Sequence, residues 1–302
     1  YARQLIAEVK SAYYNFLTSM QVVELANRTQ TLLEENLRVS QSLYDNNKST
    51  IDVVYRARAE LSRLQQRQAE ANKMYELSKA YLNFLLNRHL DTPIDVQDVK
   101  IPETHDHVAL NTAEENALQN REELKQLGAA IDAQRNGVKL NRASFLPGLS
   151  VVFDYGYQGE EYIFNDDYDY GMASGVLSWN LFKGGQDKAK IQHARLEKAR
   201  LEAQRLELQK QIRLDVRTAY EDLRVVIESV EAARDELNSA EKNFEIVNKK
   251  YQQGMAPQIE YLDAQHTLTQ AELNAIIVNY DYFIKKAELE KAAATYPISK
   301  HE

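Results

Sequence analysis

Apolar residues recur along residues 4–43 at spacings of three, four and once seven: Leu5, Val9, Ala12, Phe16, Val23 and Ala26 trace one face of a helix. The polar run Tyr44-Asp45-Asn46-Asn47-Lys48-Ser49-Thr50 predicts a turn, and the pattern resumes from about Ile51 to Asn87 as a second, antiparallel helix. A medium helix is expected from about Thr112 to Arg142, with Asn111 or Thr112 as its cap and Glu114 and Glu115 in its first turn. Two further long helices are expected at 186–250 and 258–295, joined at Tyr251-Gln252-Gln253-Gly254-Met255-Ala256-Pro257. Gly254 suits a left-handed helix end, and Pro257 suits the first turn of the helix that follows.

Between these helices the period changes from 3.6 to 2. Leu149, Val151, Phe153, Tyr155 and Tyr157 alternate with Ser150, Val152, Asp154, Gly156 and Gln158. After an acidic loop at 159–169, Ala173, Gly175, Leu177, Trp179 and Leu181 alternate with Ser174, Val176, Ser178 and Asn180. Strands of about ten residues, nearly free of charge and apolar on one face, have the length and dyad pattern of transmembrane β-strands. Trp179 and the flanking tyrosines suit a membrane interface. A soluble amphipathic hairpin packed on a helix shows the same alternation, so the strands alone leave both readings open. Helices of this length, with little to cover such a hairpin, favour the membrane.

The helical pattern is stated twice. Residues 8–85 align with 215–292 without a gap: Val9, Ala12 and Tyr13 recur as Val216, Ala219 and Tyr220. Tyr44 recurs as Tyr251, Ala57 and Leu61 as Ala264 and Leu268, and Tyr75, Ala80 and Leu82 as Tyr282, Ala287 and Leu289. A duplication at this spacing implies two copies of one structural unit. Residues 1–92 and 186–253 contain neither Gly nor Pro, as very long helices require. At 1.5 Å per residue the 186–250 stretch alone is about 95–100 Å long, too long for a compact domain of this size. The segment 90–110, with Pro93, Pro102 and an alternation at Ile94, Val96 and Val99, is expected to be an irregular linker.

Charge and composition remove several functions. A net charge of −8 without a basic stripe argues against nucleic acid. The absence of Cys removes disulfides, thiol catalysis and thiolate metal sites. No run of 18 apolar residues exists to form a transmembrane helix. His105-Asp106-His107, with His89 near in sequence, has the form of a metal ligand pair but sits on a polar linker, where solvation is the simpler reading. Glu160, Glu161, Asp166, Asp167 and Asp169 lack the Gly and terminal Glu of a Ca²⁺ loop and suit an external loop. No nucleophile–base set, phosphate loop or nucleotide fingerprint is present, so neither an enzyme nor a cofactor is expected.

The segments Ser144-Phe145-Leu146-Pro147-Gly148-Leu149, leading into the first strand, and Leu177-Ser178-Trp179-Asn180-Leu181-Phe182-Lys183-Gly184-Gly185, leaving the second, resemble those of the TolC family of outer-membrane efflux and secretion channels. The tip Tyr251-Gln252-Gln253-Gly254, followed by Tyr261-Leu262-Asp263-Ala264-Gln265 and Leu268, is similar to that family's too. The resemblance covers essentially the whole chain. It implies a mainly α protein with a β-hairpin, internally duplicated, whose long antiparallel helical hairpins form a periplasmic α-barrel tunnel. The strands join a trimeric transmembrane β-barrel, in which Leu149, Val151, Phe153, Leu177, Trp179 and Leu181 face lipid. A two-stranded hairpin cannot cover its own edges in a bilayer, which agrees with a shared, closed barrel.

On this reading 1–89 is the first-repeat helical hairpin, 90–111 an equatorial linker and 112–143 the second-repeat leading helix. Residues 144–183 are the barrel hairpin, 184–296 the second-repeat helical hairpin and 297–302 a tail. The first repeat's own leading helix and strands are expected about 95 residues upstream of Tyr1, by the spacing of the repeat. The implied role is a passive outer-membrane exit duct, a homotrimer in a Gram-negative cell that works with a periplasmic adaptor (membrane fusion) protein and an inner-membrane pump.

The resemblance also implies site residues. Glu260 and Asp263 match acidic positions that ring the tunnel constriction, which favours cations; as residues at a helix start they equally suit the helix dipole. Tyr251 matches a position that holds the closed state, with Asp52 as its expected partner. Asn47, Gly254 and Pro257 mark the tips where the adaptor docks, and Asn47 replaces an expected Gly. The alternative function is a soluble coiled-coil scaffold without a channel. The charge-free 170–182 stretch ending on Gly184-Gly185 favours the duct.

Overall fold

The computed structural model describes residues 2–96, 109–159 and 169–296. In order, these form helices α1 (Ala2–Asp45), α2 (Ile51–Leu85), α3 (Leu110–Asn120) and α4 (Glu122–Ala143), and strands β1 (Gly148–Tyr157) and β2 (Asp169–Ser178). Helices α5 (Gln186–Gln252) and α6 (Gln258–Ala292) complete the chain. Among the described residues no helix is long and apolar enough to cross a membrane. The residues fall into two units, 1–120 with 212–302 and 121–211.

In the first unit α1 packs against both α2 and α6. Its inward face over Ala26, Thr29, Leu33, Asn36 and Ser40 steps by threes and fours. Heptad spacing recurs at Ala57, Leu64 and Ala71 of α2 and at Val226, Ala233 and Ala240 of α5. Such a stripe keeps one seam facing its partner, and its small residues let the backbones approach closely. Phe16 and Leu17 of α1 meet Leu82 of α2, with Tyr75 tilted against Phe16 at 5.5 Å. Tyr14 stacks on Phe283 of α6 at 4.8 Å. Lys10 donates to Glu290 at 3.0 Å and to Tyr296 at 2.6 Å, tying the end of α6 to α1.

The helix ends match between the two halves. Asn47 and Gly254 have φ of 54° and 72°, and Asn87 and Ala294 have φ of 53° and 54°. At each the chain closes a Schellman pair. Lys48 N–H reaches Leu43 O at 2.8 Å and Asn47 N–H reaches Tyr44 O at 2.9 Å. Met255 N–H reaches Lys250 O at 2.8 Å and Gly254 N–H reaches Tyr251 O at 3.0 Å. The pairs Arg88–Asn83 with Asn87–Phe84, and Thr295–Glu290 with Ala294–Lys291, repeat the pattern at the other ends.

The second unit holds α4, the hairpin and the start of α5. Leu124, Ile131 and Val138 form the buried stripe of α4, and Gln134 donates to the Ala194 carbonyl of α5 at 3.2 Å. The single helix expected at 112–142 is broken at Arg121, whose extended backbone (ψ 127°) caps α4. Glu122 and Glu123 then occupy the first turn, where the helix dipole favours acids.

Strands β1 and β2 pair antiparallel in the register Leu149↔Leu177, Val151↔Gly175 and Phe153↔Ala173. The second strand lies earlier than the alternation suggested. Its ladder starts at Tyr157↔Asp169 and stops at Gly148↔Ser178, so Trp179 and Leu181 fall beyond it. The indole of Trp179 donates instead to the Phe145 carbonyl at 3.2 Å, and Asn180 donates to the buried Asp187 carboxylate at 2.7 Å. Gly184 and Gly185, at φ of 57° and 83°, then turn the chain into α5 in a region that glycine enters without steric cost.

Candidate gate at the helix tips

The turns after α1 and α5 come together in the first unit, where a groove of about 750 Å³ is lined by residues of both, Asn36, Lys48, Tyr251, Gly254 and Gln258 among them. The α5–α6 turn is shaped by Gly254 at the helix end and by Pro257, which caps α6 one residue earlier than expected, with an extended ψ of 157°. The Pro257 carbonyl accepts from Glu260 N–H at 3.1 Å, so the first turn of α6 closes without a side-chain cap.

Glu260 and Asp263 lie one turn apart on α6 and both are exposed. Among the described residues neither carboxylate has a cation within ion-pair distance. The hydroxyl of Thr267 bonds the Asp263 carbonyl, not its side chain. Two acids on one exposed helix face, free of counter-charge among the described residues, are open to ions or to another chain.

Tyr251 and Asp52 are engaged elsewhere. The Tyr251 ring stacks on Tyr261 at 4.8 Å, and Phe244 packs tilted against Tyr261 at 5.6 Å. Asp52 accepts from the Thr50 hydroxyl and faces Arg56 at 3.7 Å, one turn along α2. Tyr261 belongs to the cluster with Leu33, Leu64 and Leu262. Burial, then the neighbouring Tyr251 and Glu35, push its phenol up to about 12.

Sequence reasoning passed over Gln258, Asn36 and Ser40, which form a buried polar set at this tip. Gln258 Nε2 donates at 2.9 Å to Ser40 Oγ and at 2.9 Å to the Val53 carbonyl. The available signal was the polar identity of Asn36 and Ser40 on the buried stripe of α1, a weak one because Ser19 and Thr29 are polar there too.

The hairpin is the second candidate surface. Leu149, Phe153 and Leu177 share one face and are 74%, 77% and 68% exposed, with Val151 beside them also exposed. Trp179 and Leu181 are exposed past the end of the ladder. Both outer edges of the two-stranded sheet lack a strand partner among the described residues. His105 and His107, and the loop acids Glu160, Glu161, Asp166 and Asp167, lie outside the described residues, as do the linker positions Val99 and Pro102 and the tail 297–302. Among the described residues no cluster of His, Asp or Glu could hold a metal.

The model of the Outer membrane efflux protein family matches residues 114–295. The alkaline protease secretion protein AprF of Pseudomonas aeruginosa is 24% identical over 296 residues, covering 95% of this chain and 61% of its own. Outer membrane protein TolC of Escherichia coli is 19% identical over 305 residues, with 96% and 61% covered. The chain thus spans about three fifths of the length of these curated relatives. Among solved structures, a membrane protein from Pseudomonas aeruginosa superposes with a TM-score of 0.85 at 19% identity, over 96% of this chain and 68% of that one. The Campylobacter jejuni CmeC outer membrane channel gives 0.82 at 16% identity, over 99% and 64%. These likenesses establish the fold.

Proposed function

The chain belongs to the outer membrane efflux protein family, and we propose that it forms a trimeric exit duct whose opening is governed at the helix tips. The family lies in the outer membrane of Gram-negative bacteria and extends into the periplasm. The observation that carries the proposal is the hairpin: an apolar face bearing Leu149, Phe153 and Leu177 stands exposed, on a sheet with two open edges. In lipid every backbone polar group must be paired, so such a sheet is stable only as a share of a closed barrel. Val151, Trp179 and Leu181 extend the lipid-facing surface.

The helical hairpins α1–α2 and α5–α6 are the staves of a periplasmic tunnel, and their matching Schellman ends support an internal duplication. Residues 1–89 and 184–296 are then its two helical hairpins, 90–111 the linker, 112–143 the leading helix and 144–183 the barrel hairpin. Three copies bring Glu260 and Asp263 into a ring of carboxylates, which selects for cations. Tyr251 and Asp52 flank the tip, and Asn47, Gly254 and Pro257 form the surface for a periplasmic adaptor, itself coupled to an inner-membrane pump. The proteins it is similar to include a protease secretion protein and an outer membrane channel, and the duct reading suits protein or small-molecule cargo. A coiled-coil scaffold offers no role for the exposed strand face.

Reconstitution of the full-length protein into planar bilayers tests the reading. Discrete channel openings together with a trimeric mass in detergent are expected; a monomer without conductance would remove the duct.

A further inference from the structure

The tips of the two helical hairpins are joined by uncharged polar side chains withdrawn from water. Gln258, the first residue of α6, is 7% exposed, with Asn36 and Ser40 of α1 more deeply buried still. Its Nε2 donates to Ser40 Oγ and to the Val53 carbonyl, both at 2.9 Å, and lies 3.4 Å from Asn36 Oδ1. A carbonyl only accepts, so Val53 fixes which end of the Gln258 amide is nitrogen. One side chain thereby ties the start of α6 to α1 and to the first turn of α2.

The set is also incomplete. Gln258 Oε1 and Asn36 Nδ2 are buried and have no partner among the described residues. Separating the tips forfeits two good hydrogen bonds but returns two unpaired groups to water, so the closed arrangement is held without being deep. Nothing equivalent repeats in the other half, where the matching positions are Ile51, Asn243, Val247 and Glu260. The tie therefore belongs to the contact between the first hairpin and α6.

We propose that Gln258 is the positioning residue of the gate, latching the α5–α6 tip to the first helical hairpin. Glu260 and Asp263, two and five residues further along α6, are held in place through it. Tyr251, stacked on Tyr261, supports the same tip by packing. The consequence for conductance rests on the duct reading, whereas the latch itself is a local contact that can be measured without it.

The test compares Gln258→Leu with Gln265→Leu in the full-length protein. Gln265 is a buried glutamine of the same helix whose amide, among the described residues, bonds only Thr269, one turn on, at 2.8 Å. Hydrogen exchange of detergent-solubilised protein reports opening of the tip turns, and single-channel recording reports the pore. Gln258→Leu is expected to speed exchange across both tip turns by about tenfold or more, a local loss of the order of a lost buried hydrogen bond, and to raise the open fraction. Gln265→Leu should do neither. Ser40→Ala should give a smaller shift in the same direction, and the Gln258→Leu/Ser40→Ala pair should exchange no faster than Gln258→Leu alone. If Gln258→Leu does not assemble, Ser40→Ala carries the same reading.

Equal effects of the two glutamine variants, or additive effects of Gln258 and Ser40, would overturn the latch. Faster tip exchange in a protein that conducts nothing would keep the latch and remove the duct. Normal conductance with unchanged exchange in Gln258→Leu would do the reverse.

Discussion

Asn47 and Gly254 sit in the same left-handed backbone well, φ 54° and 72°, each followed by the residue that closes the Schellman pair at the end of a long helix. A side chain with a Cβ is disfavoured there by about 1–2 kcal/mol, and Asn is the residue that tolerates it best after Gly. The two tips thus solve one backbone problem with the two residues that enter this well at least cost.

Gly254→Ala is accordingly expected to destabilise the α5–α6 tip by about 1 kcal/mol, whereas Gly254→Asn should cost measurably less. Among the described residues no atom beyond the two chain neighbours lies within 4 Å of a Cβ at this position, so the difference reports backbone conformation. Hydrogen exchange of the turn amides in the two variants checks the order.

Glu260→Gln with Asp263→Asn is expected to weaken cation selectivity, because in the proposed trimer a ring of carboxylates becomes a ring of amides of similar size. The reversal potential under a salt gradient is the measurement. An unchanged value would take both residues out of the constriction.

Tyr261 carries a pH dependence with a definite sign. Its phenol is pushed from its ordinary value near 10 to about 12 in the fold, so the folded state holds the proton more tightly than the unfolded chain. That contribution is fully present below roughly pH 10 and is lost as pH rises through about 12. Tyr261→Phe should change stability little at neutral pH, since the hydroxyl has no bonding partner among the described residues, and should blunt the alkaline loss. Denaturation midpoints on both sides of pH 10 compare the two proteins.

Phe153→Arg is expected to impair membrane assembly, by about 2–4 kcal/mol if the residue lies at the bilayer midplane. Phe153 is 77% exposed on the apolar hairpin face, so a purely soluble hairpin would accept the change with almost no penalty. Fractionation of the variant between membrane and soluble pools distinguishes the two.

Much of this architecture is legible in order along the chain. The long helices follow from breaker-free, apolar-periodic runs, and the paired strands from a dyad alternation bounded by Gly and Pro. Helix ends at Asn47 and Gly254 are readable because local sterics choose them. The break at Arg121 carries no Gly or Pro to announce it, and the alternation that ran on to Leu181 overshot the strand by three residues. There the bonds of Trp179 to Phe145 and of Asn180 to Asp187 draw the chain off the ladder, and such bonds are made between residues distant along the sequence.

What the sequence by itself determined is what period and local conformation set, the long helices and the two-faced strands, while its motifs carried the resemblance to the family. Only the tertiary structure decided which side chains meet at the tip. Tyr251 turned to Tyr261, Asp52 to Thr50 and Arg56, and Gln258 to Ser40 and Val53, more than two hundred residues away. Periodicity records which face of a helix is buried, because burial repeats with the turn. It does not record which polar groups on that face will satisfy one another, since that depends on the register between helices, a property no single helix carries.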